Sequence, residues 1–203
     1  MSENNFNQFI WQKKNCLTPE FCNHLISKFE KDNRSYPGVV GRNLEVRPEI
    51  KSSLDLNISR LGDWKNEDHI LFENLTKSLE EYEEYIQNQF PHTKMTIFVS
   101  SDVDDSGYQI QRTKPGEYYT WHDDQKVDYD LNVRTLTYIW YLNTITEGGY
   151  TEFYDGTKIH PECGKLLIFP ATWTFSHRGV SPKSETKYIC TGWMRYKLPS
   201  IPN

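Results

Sequence analysis

Residues Arg134–Leu142 read RTLTYIWYL. Thr, Ile, Tyr and Trp dominate the run, and such β-branched and flat side chains suit a pleated backbone better than a helix. No Gly or Pro interrupts it, so it predicts a strand. Outward from it lie similar runs at Tyr108–Thr113, Tyr150–Tyr154, Lys165–Phe169, Phe175–His177 and Lys187–Tyr196. Gly, Pro and Asp turns separate them. Short strands at this spacing point to a β-sandwich or jelly roll.

The N-terminal half is mixed. Thr18 before Pro19 has the form of a helix cap followed by a first-turn proline. Phe21, Leu25, Ile26 and Phe29 then mark one face of a helix over roughly 19–31. Leu71, Leu75, Leu79, Tyr82 and Ile86 mark a second helix over roughly 67–89. Residues 34–47 read as loop or irregular strand, and Ser52–Ser59 alternates like a strand. The expectation is one α+β domain over 1–203. Helical support over about 1–100 buttresses a double-stranded β-helix (jelly roll) core over about 101–197.

The chain has 203 residues, enough for one core, with 14% aromatic residues to fill it. Net charge is -5 and the pI about 5.7, which argues against a general nucleic-acid-binding face. The four cysteines, Cys16, Cys22, Cys163 and Cys190, include no CxxC pair, so neither a zinc knuckle nor a thioredoxin-type site is indicated. The N-terminus shows no apolar signal-peptide run, and no stretch has the length of a membrane span. These features give the expectation of a cytoplasmic protein with free thiols. The composition does not indicate an oligomeric state.

Among the six histidines, His24, His69, His92 and His160 have neighbours that suggest ordinary structural roles. His122 differs because Asp124 follows two residues on, and positions i and i+2 of an extended backbone share a face. A histidine from a distant strand, His177, would complete a 2-His-1-carboxylate set, the usual ligand group of non-haem Fe(II) oxygenases. By spacing alone the HxD pair is a weak signal. Lys187, ten residues after His177, opens the apolar run KYICTGW. A lysine there either snorkels to solvent or, if buried, needs an anion.

The order of the motifs says more. HxD at 122–124 is followed by RTLTYIWYLN, then GGYTEF, then PECGKLLIF, then His177 and Lys187. Over roughly residues 105–197 the sequence resembles the prolyl 4-hydroxylase-type branch of the Fe(II)/2-oxoglutarate-dependent dioxygenases. The resemblance implies that His122, Asp124 and His177 bind iron and that Lys187 and Tyr141 hold 2-oxoglutarate. It implies that Tyr119, Arg134 and Trp193 line a substrate pocket, with ordinary strand packing as the alternative.

The activity implied resembles that of a procollagen-proline 4-dioxygenase. An unactivated C–H, of a prolyl or other residue in a peptide or protein, is hydroxylated with O2, and succinate and CO2 are released. Ascorbate is the candidate reductant. A free amino acid or other small molecule is the alternative substrate, and a non-catalytic jelly-roll binding module the alternative to an enzyme. Two departures bear on the substrate. Thr113 stands where relatives carry a tyrosine, for which Tyr118 or Tyr138 could substitute, and the hairpin reads GGYT rather than GGET.

Overall fold

The computed structural model describes residues 6–41, 43–91, 103–127 and 132–197. The first half supplies β1 (Trp11–Lys13), α1 (Pro19–Lys31), β2 (Tyr36–Pro37), β3 (Val39–Val40), β4 (Glu45–Val46), β5 (Leu54–Asn57) and α2 (Lys65–Gln89). The second half supplies β6 (Val103–Asp105), β7 (Gln109–Thr113), β8 (Tyr119–His122), β9 (Asn132–Tyr141) and β10 (Thr151–Phe153). It continues with β11 (Lys158–Ile159), β12 (Lys165–Pro170), β13 (His177–Gly179) and β14 (Lys187–Lys197).

Among the described residues the strands form a large antiparallel sheet in the order β1-β12-β9-β14-β7-β5-β2, with β6 also on β14. A smaller sheet has the order β11-β10-β13-β8. Two antiparallel sheets of this kind are the jelly roll that the strand pattern predicts. The first half does more than buttress it, because β1, β5 and β2 extend the large sheet at both edges.

Strand β9 shows how the sheet is used. Leu136, Tyr138 and Trp140 pack with Leu25, Phe29, Leu71, Leu75, Tyr82 and Ile86 of the two helices. Ile139 and Tyr141, on the other face, pack with Phe153, Ile159, Leu167 and Phe169 between the sheets. Strand β12 alternates the same way, with Leu166 and Ile168 towards the helices and Leu167 and Phe169 between the sheets. Both faces are covered there, so the runs Tyr138–Tyr141 and Leu166–Phe169 have bulky, largely apolar side chains on both sides. Helix α1 has the expected bounds. The Thr18 hydroxyl accepts from Phe21 N–H at 3.2 Å, a cap worth about 1 kcal/mol.

Two strands differ from expectation in their bounds. Residues 175–177 are not one strand. Trp173–Phe175 is a 3-10 turn, and β13 begins at His177. The run ATWTFS is rich in hydroxyls that compete with a ladder. Thr172 bonds Thr174 at 2.7 Å, and the Ser176 hydroxyl donates to Trp173 O at 2.9 Å. The strand expected at 52–59 is confined to β5, and residues 34–47 form short ladders. His92 lies outside the described residues. Among them, no helix is long and apolar enough to cross a membrane.

Candidate active site

Strands β8 and β13 lie side by side with His122 opposite His177. Their rings are 4.2 Å apart, centre to centre. The chain leaves β8 just after His122, and the next turn brings Asp124 back to both rings. Asp124 Oδ1 is 4.0 Å from His122 Nε2, and Asp124 Oδ2 is 3.7 Å from His177 Nε2. Their ligand atoms all lie within 4.8 Å of one another. Asp123 points away, and its carboxylate accepts from Gln125 N–H at 3.0 Å in an exposed turn.

The groups around these three orient them. His122 Nδ1 is 2.8 Å from Thr120 O, and His177 Nδ1 is 3.0 Å from Phe175 O. A carbonyl can only accept, so Nδ1 carries the proton in each ring and the Nε2 lone pair faces the centre. Phe169 meets His177 edge-on at 4.9 Å. The Thr137 hydroxyl donates to Asp124 Oδ2 at 2.7 Å.

Charge follows burial. Burial and the neighbouring His177 hold His122 well below the usual imidazole range, favouring the neutral ligand form. Burial works against the Asp124 charge, but His177, His122 and the Thr137 hydroxyl outweigh it and hold the carboxyl below its ordinary value. Two neutral imidazoles and one carboxylate, each fixed by a further hydrogen bond, are a donor set that fits a divalent first-row metal.

The three groups line a cavity of about 620 Å³, part of it open to solvent. Lys187, from β14, lines it too and is 5% exposed. Its ammonium donates to Gly149 O at 3.0 Å, and burial with no compensating charge lowers its pKa to about 8. Gly148 and Gly149 both have positive φ, at 74° and 67°, which aims that carbonyl inwards. A Cβ at Gly148 would sit 2.3 Å from Ser181 O, so the turn needs glycine there.

The other expected residues divide. Tyr119 lines the cavity and its ring stacks on His122 at 3.5 Å. Residues i and i+3 of a regular strand face opposite ways, but a bulge between the His177 and Gly179 pairings brings both inwards. Trp193 lines the cavity, and Arg134 stacks on its ring at 3.5 Å. Tyr141 is enclosed behind the wall, and its hydroxyl bonds Thr151 Oγ1 at 2.7 Å. Thr151 is the one that faces the cavity.

Thr113 borders the cavity opposite Lys187 on the adjacent strand. Tyr118 is at the cavity too, whereas Tyr138 faces the helices and donates to Gly107 O at 3.0 Å. Tyr138 therefore cannot supply a phenol here. Lys51, Thr137 and Thr151 also line the cavity and are not singled out by the sequence. Lys51, Ser53 and Asp55 alternate with Leu54 and Leu56 like a solvent-facing edge, so no local signal marks Lys51.

His24 and His69 have structural partners. His24 pairs with Glu67 at 2.7 Å and His69 with Glu73 at 3.3 Å. The His160 carbonyl accepts from Lys165.

A jelly roll with two histidines and one aspartate converging from β8, the following turn and β13 defines the class of non-haem metal centres with a facial triad. Residues 108–195 match the family model described as the 2OG-Fe(II) oxygenase superfamily. Over those residues the chain is similar to the 2OG-Fe(II) oxygenases.

Solved structures share the fold. A viral collagen prolyl hydroxylase from Paramecium Bursaria Chlorella virus-1, in complex with 2OG, is 23% identical with a TM-score of 0.65. The match covers 93% of this chain and 96% of that one. A Pseudomonas putida prolyl-4-hydroxylase is 18% identical, TM-score 0.63, with 92% of each chain covered. A Trichoplax adhaerens prolyl hydroxylase, in complex with a hypoxia inducible factor peptide fragment, is 16% identical with a TM-score of 0.70. That match covers 94% of this chain and 84% of that one. No curated protein sequence matches the chain.

Proposed function

We propose that the protein hydroxylates an unactivated C–H bond of a prolyl or other residue in a peptide or protein. The coupled reaction takes up O2 and 2-oxoglutarate and releases succinate and CO2. One observation carries this: a three-donor centre and a buried, uncompensated ammonium line one cavity. His122, Asp124 and His177 would hold Fe(II). Bound together, the iron and 2-oxoglutarate supply the oxidising chemistry.

The chain supplies binding and orientation. Lys187 would take the distal carboxylate of 2-oxoglutarate, because a buried ammonium that meets only a carbonyl gains most from an anion. Tyr141 holds the Thr151 hydroxyl at the cavity wall and is a positioning residue for it. Tyr119 braces His122 through ring stacking. Trp193, backed by Arg134, and Tyr118 give the cavity aromatic walls suited to a flat or cyclic side chain.

The reading extends to a single domain over 1–203, to ascorbate as reductant and to a cytoplasmic location. Four free thiols support a reducing compartment.

The test is incubation of the purified chain with Fe(II), 2-oxoglutarate and a peptide library. Succinate should form, and a subset of peptides should gain the mass of one oxygen. Succinate that forms only with a free amino acid or another small molecule refutes the peptide assignment. No succinate under any condition refutes the enzyme.

A further inference from the structure

A second ammonium faces the cavity. Lys51 lies on an extended segment beside β8, where Ser52 N–H donates to Tyr118 O and Thr120 N–H to Ile50 O, both at 2.8 Å. That register sets Lys51 opposite Tyr119, so the two side chains rise from one face into the cavity. Lys51 is only 6% exposed.

Its surroundings differ from those of Lys187. Lys51 Nζ donates to Asp55 Oδ2 at 2.6 Å, and the other Asp55 oxygen accepts from the Ser53 hydroxyl at 2.8 Å. An ammonium has three N–H groups. Among the described residues Asp55 is the hydrogen-bond partner of Lys51, which leaves two donors for the cavity. Trp193 lines the same cavity, and its buried indole N–H has no acceptor among the described residues. Buried donors without acceptors are rare and need an explanation.

Charge narrows what could answer these donors. Lys187 has no carboxylate beside it and favours an anion. Lys51 is already neutralised, and an incoming carboxylate would sit close to the Asp55 charge and be repelled. A neutral oxygen gains the hydrogen bond without that repulsion.

We propose that Lys51 is a substrate-positioning donor for a neutral carbonyl oxygen, the main-chain carbonyl of an extended peptide. It thereby selects amides over free carboxylates at this end of the cavity. The inference rests on the peptide reading above and adds to it the chemistry of the contact.

The test is calorimetric titration of the full chain, loaded with Fe(II) and 2-oxoglutarate under argon so that nothing turns over. The probes are an acetylated, amidated peptide of alternating proline and alanine, and N-acetyl-L-proline, which ends in a carboxylate. Lys51→Met alone strands the Asp55 charge and risks unfolding. The variant is therefore Lys51→Met with Asp55→Asn, with thermal unfolding recorded beside it.

The double variant should bind the amidated peptide about tenfold to a hundredfold more weakly, with 2-oxoglutarate affinity within about twofold. Asp55→Asn alone leaves Lys51 charged and uncompensated. It should shift preference towards N-acetyl-L-proline by about tenfold.

Three results overturn the inference: unchanged peptide affinity in the double variant, an equal loss for 2-oxoglutarate, or no peptide binding by the wild type. Peptide binding through Lys51 without hydroxylated product refutes the proposed reaction and leaves this inference standing. Product formed with Lys51-independent affinity does the reverse.

Discussion

Tyr138, Trp140 and Cys190 are fully enclosed against α1 and α2 on one side of the large sheet. One residue away on the same two strands, Thr137, Ile139, Ile189 and Thr191 border the cavity, as does Lys187 at the start of β14. The backbone is shared and the chemistry is opposite. The helix side is held by volume, in a packed interior where each ring has neighbours on all sides. The cavity side is held by directed bonds, such as Thr137 to Asp124 and Lys187 to Gly149. Substitutions on the first side should therefore move stability, and those on the second should move binding.

The largest effect tests the cavity side at its centre. Asp124→Ala removes the carboxylate that faces both Nε2 atoms. Bound iron, measured by elemental analysis, and succinate formation should both fall to background. Asp123→Ala, one residue away and exposed, should keep both. Near-normal iron in Asp124→Ala would remove the triad as the metal site.

On the helix side, Trp140→Ala should cost about 3–5 kcal/mol in denaturant unfolding. It empties a fully enclosed site and takes away the donor that Asn74 Oδ1 accepts at 3.0 Å. Whatever folded protein remains should bind 2-oxoglutarate with wild-type affinity. A large binding defect with intact stability would break the division between the faces.

This division was only partly legible in the sequence. The convergence of His122, Asp124, His177 and Lys187 on one cavity could be read, because few residue types suit metals or carboxylates and their order is informative. The faces of β9 could not, since its central YIWYL is bulky on both sides and period-2 alternation carries no contrast there. Tyr119 shares a face with His122 only through a bulge, which spacing does not reveal. Lys51, Ser53 and Asp55 alternate with apolar Leu54 and Leu56 in the pattern of a solvent-facing edge. Burial of that polar edge follows from the approach of β8, a long-range event with no local signature. The contact of the Tyr141 hydroxyl with Thr151, behind the cavity wall, is likewise not visible in the sequence.

Lys187 links the two kinds of effect. Its pKa in the folded protein is about 8, against an ordinary 10.5. The unfolded chain thus holds the proton more tightly, so the fold carries a penalty at neutral pH that is relieved as pH rises from about 8 to 10.5. The same deprotonation removes the charge that would attract a carboxylate. Affinity for 2-oxoglutarate should therefore fall as pH rises through about 8, while the Lys187 contribution to stability rises over that window. Lys187→Met should weaken 2-oxoglutarate binding by about a hundredfold and abolish both trends. Unchanged affinity in that variant would exclude Lys187 as the anchor.

The smallest effect is the most discriminating, because it changes one atom type at the border between the faces. Thr137 sits between Leu136 and Tyr138, both turned to the helices, and it is 1% exposed. Thr137→Val keeps the shape of the side chain and replaces the hydroxyl with a methyl group. Asp124 Oδ2 then loses its 2.7 Å donor and keeps its place beside His177. Removing a partner of this kind typically weakens metal binding by about tenfold to a hundredfold. Volume is conserved, so packing itself should contribute little to any change in unfolding midpoint. Competition with a metal-indicator dye measures the first quantity and thermal unfolding of the metal-free chain the second. If the unfolding midpoint fell while metal affinity stayed unchanged, Thr137 would be acting through packing like its neighbours, and the cavity side would not be held by directed bonds at this position.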